Sequence, residues 1–281
     1  EEQADLGFAP DSSFPLTYAE KGLLQVKLHG PGWDDLPLQA GQALNVVPDK
    51  ATYAGHRLEE LLPVLDQSGV QYSQTEDSVT VLGVSKHSKD AAEGVNAIVG
   101  LAESLSLIQP HPALLFIADA VGEDATGEAL FGRITDEPSG DLSFNLATLV
   151  IDQEQSEIGI DIRIPVLADK EALVARLREI AASYQLEYEE FDYLAPLYVP
   201  LDSPLVSSLM AVYQEETGDK TPAMSSGGAT FARTMENCVA FGALFPSAEQ
   251  TEHQANERAK IDDLYAAMEI YREAIQRLAT T

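Results

Sequence analysis

Five histidines (His29, His56, His87, His111 and His253) and one cysteine, Cys238, are the side chains best suited to hold a metal or to attack a carbonyl. None of the histidines opens an H-x-D, H-x-x-x-H or H-E-x-x-H pattern, so no self-contained metal motif is present. Cys238 sits in the apolar run Cys238-Val239-Ala240-Phe241 and reads as a core residue rather than a nucleophile. Ser225 and Ser226 lack the G-x-S-x-G elbow of a serine hydrolase. Gly227 and Gly228 lack the G-K-[ST] of a phosphate-binding loop, although their backbone N–H groups could hold a carboxylate. Asp11 lies in a turn signal, Ala9-Pro10-Asp11-Ser12. Arg163 lies in a strand-like run whose neighbours Ile162 and Ile164 face the other way; pairing with Asp161 or a glutamate is its plain structural role.

These residues need a sizeable scaffold, and the chain can supply one. Its 281 residues allow about two domains, and 45% hydrophobic residues suffice for a buried core. Seventeen Lys plus Arg against 46 Asp plus Glu give a net charge of −29, which repels phosphate backbones and anionic lipid; neither nucleic acid nor a membrane surface is an expected partner. A lone cysteine suits a reducing compartment, and no apolar run approaches the ~20 residues of a membrane span. The start, Glu1-Glu2-Gln3-Ala4-Asp5, lacks the basic and apolar regions of a signal peptide and an initiator Met. A cytoplasmic setting is expected, with a first residue that is not a natural start.

The patterning is that of an α/β protein. Alternation predicts strands over 23–29, 70–75, 78–84, 142–152, 157–165 and 184–191, with a further short strand over 43–47. Helical spacing predicts helices over 55–65, 113–121, 169–182 and 205–216, and another after Asp90 as N-cap. Residues 238–245 read as a strand-like run. A last helix over 259–278 has Ile261, Leu264, Tyr265, Met268, Ile275 and Leu278 on one face, the face expected to dock. Two stretches, 22–108 and 142–192, mix strands and helices as β-α-β units, and the texture changes after residue 192.

Five segments carry a family resemblance: GFAPDSSFPLTYAEKG at 7–22, NVVPDKAT at 45–52, HSKDAAEGVNA at 87–97, IDIRIP at 160–165, and the long stretch TPAMSSGGATFARTMENCVAFGALFPSAEQTEHQANE at 221–257. In this order they resemble the zinc-dependent aminoacylase/carnosinase superfamily, and within it the bacterial carnosinase-like dipeptidases of the PepV type. The resemblance implies two ferredoxin-like lid halves inserted into part of an α/β catalytic domain: a catalytic segment over 1–21, a lid over 22–192 and a C-terminal catalytic segment over 193–281. It implies two Zn2+ ions, with Asp11 and His253 among their ligands; a turn-forming Asp11 and a surface His253 are the readings the residues give without it. It further implies that His87 is the lid histidine that donates to the developing oxyanion, that Arg163 holds the C-terminal carboxylate of a dipeptide, and that Asn45, Gly227 and Gly228 assist in substrate binding.

Two departures follow from the same comparison. SSGGAT stands where the family carries a triple-glycine loop. The family's H-x-D ligands and its Glu-Glu pair lie upstream of the GFxPD stretch, where only ten residues precede Asp11. The expectation is therefore a metal-dependent dipeptidase for free-N-terminus dipeptides in the parent protein, with this chain inactive alone and needing the N-terminal catalytic segment as partner. A non-catalytic, truncated homologue that binds peptides is the alternative.

Overall fold

The computed structural model describes residues 4–251 and 255–280, which form two compact units: 22–194, and 1–21 together with 195–281.

The 22–194 unit is built on an antiparallel five-stranded sheet in the order Glu187–Leu194, Gly22–Pro31, Gln155–Ile164, Ser143–Ile151, Leu38–Ala40. The strand Gly22–Pro31 shows why it forms. Leu24, Val26 and Leu28 are fully buried on one face. On the other, Gln25 bonds Asp161, Lys27 pairs with Glu157, and His29 pairs with Glu189 across the neighbouring strands. The core face is covered by the helices Leu58–Ser68, Ala97–Ser106 and Lys170–Ser183, with Leu61, Leu65, Ile98, Leu101, Leu105, Leu173 and Leu177 turned inward. Asp169 caps the third of these through Glu171 N and Ala172 N. A second, three-stranded sheet, Lys50–Tyr53, Val79–Leu82 and Tyr72–Gln74, joins the same core.

Three expectations need correction here. The 43–47 segment is a turn bridged at Val46 to His87, because its carbonyls are taken by a side chain, described below, rather than by a strand. Asp90 lies inside a short 3-10 turn, Ser88–Glu93; the cap of the following helix is Asn96, whose Oδ1 accepts from Ile98 N and Val99 N. The helix predicted over 113–121 begins as α-helix at Pro112–Leu115 and widens to a π turn over Phe116–Val121.

The second unit holds a sheet in the order Gly7–Ala9, Cys238–Ala240, Thr17–Glu20, Leu197–Tyr198, with Met224–Ser226 also pairing with Thr17–Glu20. An aromatic cluster of Phe8, Phe14, Tyr213, Phe241 and Tyr271 packs between this sheet and the helices Pro204–Thr217 and Ile261–Leu278. The strand-like run after Cys238 is broken at Gly242, where φ is +74°, and resumes as Ala243–Leu244. The last helix forms as expected but buries a different face. Ala267, Ile270 and Ala274 face inward; of the predicted docking stripe Ile261, Leu264, Tyr265, Met268 and Ile275 are exposed and Leu278 is half-buried. The small alanines allow close approach to the Pro204–Thr217 helix, which Arg277 reinforces by pairing with Glu215.

Candidate functional site

In the 22–194 unit the hairpin of Ser143–Ile151 and Gln155–Ile164 sets Asp161 and Arg163 on the face opposite the isoleucines, and both are buried there. Asp161 accepts from Nε of Arg163 at 2.6 Å and from Nη2 at 3.1 Å, a fork that fixes the guanidinium plane. Nη2 of Arg163 also donates to Ser88 Oγ at 3.0 Å.

Ser88 is the junction of the site. Its N–H donates to Asn45 O at 2.9 Å, its carbonyl accepts from the Ser143 hydroxyl, and its neighbour is His87. The sequence reading missed Asn145, which is 1% exposed and whose Nδ2 donates to both Leu44 O (2.9 Å) and Val46 O (3.0 Å). It thereby holds the turn that carries Asn45. A polar residue in the otherwise apolar run 143–151 was the available signal. Asn45, His87 and Arg163, read from separate stretches, are thus joined through one serine.

His87 caps the Ser88–Glu93 turn: its Nδ1 accepts from Lys89 N at 3.1 Å. An imidazole that accepts at Nδ1 carries its single proton on Nε2 when neutral. The residue keeps solvent contact, yet desolvation of the ring, followed by the positive charge of Arg163, holds its pKa below the usual histidine range. The result is a neutral ring presenting Nε2–H as a donor.

The other unit gathers Asp11, Gly227 and Gly228 around a 3-10 turn, Phe231–Thr234. Asp11, exposed, accepts from Phe231 N at 2.9 Å through Oδ2. Gly228 N–H donates to Ser226 Oγ at 3.0 Å, so that donor is already engaged within its own loop. The turn is pinned by an ion pair that sequence reasoning missed. Glu20, fully buried, accepts from Arg233 Nη2 at 2.9 Å and Nε at 3.2 Å, and also from Thr230 N at 3.0 Å and the Thr230 hydroxyl. Arg233 further donates to the carbonyls of Ala195, Lys21 and Gly228. Cys238 is buried and burial pushes its thiol up, as suits a core residue and not a nucleophile.

His253 lies outside the described residues. Among the described residues no group of three or more His, Cys, Asp or Glu side chains could hold a metal ion. Asp11 alone, with one oxygen engaged by Phe231 N, does not amount to a zinc site, which needs four ligands. The described residues by themselves therefore do not complete the metal site that the resemblance implies.

The profile of peptidase family M20/M25/M40 matches residues 47–277. The chain belongs to this family. Among M20 relatives, a Bacillus subtilis (strain 168) protein named "Putative dipeptidase YtjP" is 34% identical over 302 residues, covering 99% of this chain. MW1694 of Staphylococcus aureus (strain MW2), which carries the same kind of name, is 32% identical over 303 residues and 99% of the chain. This M20 chain spans 65% of the length of each. The crystal structure of aminoacylhistidine dipeptidase from Vibrio alginolyticus matches 98% of this chain and 66% of its own, with a TM-score of 0.54 at 11% identity, a likeness of fold. The resemblance drawn from the five sequence segments and the α/β class both agree with the M20 assignment. No helix among the described residues is long and apolar enough to cross a membrane.

Proposed function

We propose that this chain is part of a cytoplasmic, metal-dependent dipeptidase acting on dipeptides with a free N-terminus, the 22–194 unit serving as lid and the other as its C-terminal catalytic segment. The observation that carries this reading is the junction at Ser88, which brings His87, Asn45 and Arg163 into one cluster. Cleaving an amide places negative charge on the carbonyl oxygen, and a preorganised neutral donor stabilises that charge without needing to reorganise. Nε2–H of His87 is such a donor. Asn45, exposed beside it, supplies a second amide donor to the same region. Arg163, its plane fixed by Asp161, would set positive charge toward the substrate's carboxylate, and after desolvation of the ring the same charge helps to keep His87 neutral. A metal, zinc by resemblance, would polarise the amide and activate water; Asp11 and His253 would contribute to holding it, together with ligands beyond the described residues.

The test is a substrate profile. The protein encoded by the reading frame that carries this chain is assayed with zinc or manganese against free, N-acetylated and C-amidated forms of one dipeptide. The reading predicts hydrolysis of the free form and weak turnover of both blocked forms. Equal turnover of all three, or none of any, contradicts it.

A further inference from the structure

The 22–194 unit holds a hollow of about 180 Å³ that His87, Asn45 and Arg163 do not line. Val47, Val99, Val121, Phe144 and Leu146 make its walls largely apolar. An apolar cavity of roughly 150 Å³ takes a molecule the size of benzene, so a ligand of about six heavy atoms fits this one. The polar lining is less ordinary. Asn145 belongs to it and is 1% exposed. Its Nδ2 is committed to Leu44 O and Val46 O, which settles the orientation of the amide. Oδ1, at the other end, accepts from no donor among the described residues. A buried acceptor left in that state is costly, and only an N–H or O–H satisfies it.

The charges around the hollow select the donor. Glu123, exposed, and Asp124, half-buried, both line it. Desolvation opposes ionisation of Asp124, but hydrogen bonds from Thr126 and Ala129 outweigh it and hold the pKa below the ordinary value. Glu103 stands close behind, since a Cβ on the lining residue Gly122 would lie 3.8 Å from its Oε1. Burial, and then the charge of Glu123, push Glu103 up. Among the described residues that line the hollow none is Lys, Arg or His. A cation therefore finds a negative field here, and an anion finds repulsion. We infer that the hollow binds a small aliphatic monoamine, whose ammonium donates to Asn145 Oδ1 and faces Glu123 and Asp124 while its hydrocarbon body rests on Val99, Val121 and Phe144. A free amino acid is excluded by its own carboxylate. The site goes beyond the dipeptidase reading and does not rest on it, although Asn145 touches both the hollow and the turn that carries Asn45.

The experiment reads binding and not hydrolysis, so its failure and that of the dipeptidase reading are separable. The protein encoded by the reading frame that carries this chain is titrated by calorimetry at pH 7 with isopentylamine, isopentanol and leucine. Val99→Phe, which fills the hollow, and Glu123→Lys, which reverses an exposed charge at it, are titrated beside the wild type, with thermal denaturation to show that each is folded. Glu123→Lys stands on the surface and keeps the test decisive if Val99→Phe does not fold. Saturable binding of isopentylamine at about 1 mM or tighter is expected, the scale for a fragment of this size. The alcohol and the amino acid are expected to bind at least about tenfold more weakly, for want of the charged donor or because of the added carboxylate. Each variant is expected to weaken the amine by about threefold or more. Equal affinity for the alcohol overturns the inference, since the hollow would then be an apolar crevice. So does binding that both folded variants leave unchanged, which would place the amine elsewhere, and so does the absence of saturable binding, which would leave Asn145 Oδ1 to water alone.

Discussion

Glu20 and Arg233, 213 residues apart in sequence, form a buried ion pair whose two hydrogen bonds join the end of the strand Thr17–Glu20 to the turn that touches Asp11. The side chain of Arg233 is 7% exposed and that of Glu20 is not exposed at all. The Glu20 carboxylate also accepts from the N–H and hydroxyl of Thr230, one residue before the same turn. The pair therefore sets the positions of Asp11 and of the Gly227-Gly228 loop together.

Removing one partner leaves the other charged and buried. Arg233→Met is expected to destabilise the chain by about 3–5 kcal/mol, read as a lower denaturation midpoint. The three carbonyls that Arg233 serves add to that loss. A midpoint within error of the wild type would show that the pair does not hold the turn.

How far the sequence foretells this architecture depends on whether the determining contacts are local. The alternation of Leu24, Val26 and Leu28 and the cap at Asp169 act within a few residues, and the strand and the helix both form where the pattern places them. The terminal helix buries Ala267 and Ala274 and not the larger Met268 and Tyr265, because close helix packing favours small side chains, a preference that the spacing of large apolar residues does not reveal. Asn45, His87 and Arg163 were recognised as separate motif residues; that Ser88 and Asn145 tie them together depends on pairing between distant segments, which leaves no local mark. Glu20 was hidden for the same reason, since its partner is supplied only by the fold.

Gly159 marks the close approach of the Asn45 turn to the sheet. A Cβ there would lie 2.3 Å from Thr148 Oγ1 and 2.6 Å from Leu44 Cδ2. Gly159→Val is expected to cost about 1–3 kcal/mol by overpacking and to displace the 44–46 turn. Thermal denaturation together with amide exchange at Asn45 and Val46 checks this; unchanged values for both would refute the packing.

His111 is fully buried, with Nδ1 accepting from Ala113 N at 3.1 Å and the ring bonded to Pro31 O at 3.0 Å, and burial pushes its pKa below the ordinary 6.5. The unfolded chain thus takes up the proton first as pH falls. The stability contributed by the neutral ring is complete above about 6.5 and is lost as pH drops through that value. Carboxylates also titrate in so acidic a chain, so the difference from His111→Asn is the quantity to read. Wild type is expected to lose more stability than the variant between pH 7.5 and 5.5. An equal or smaller loss would mean that the ring is not held neutral.

Arg163→Lys keeps the charge but not the planar fork. In the full product, the affinity for a free dipeptide is expected to fall by about 1.5–3 kcal/mol, and that for its C-terminal amide to change little. A uniform loss for both ligands would assign Arg163 to the scaffold alone, as the partner of Asp161.

In the proposed dipeptidase, Nε2–H of His87 acts as a neutral donor to the reacting carbonyl. The most direct measurement is the kcat and KM of His87→Ala in the full product across pH 5.5–8, beside the wild type. A drop in kcat of about 10²–10³-fold with KM nearly constant is predicted, together with wild-type activity that persists below pH 6.5 because the ring resists protonation. An unchanged kcat, or a loss confined to KM, would contradict the account.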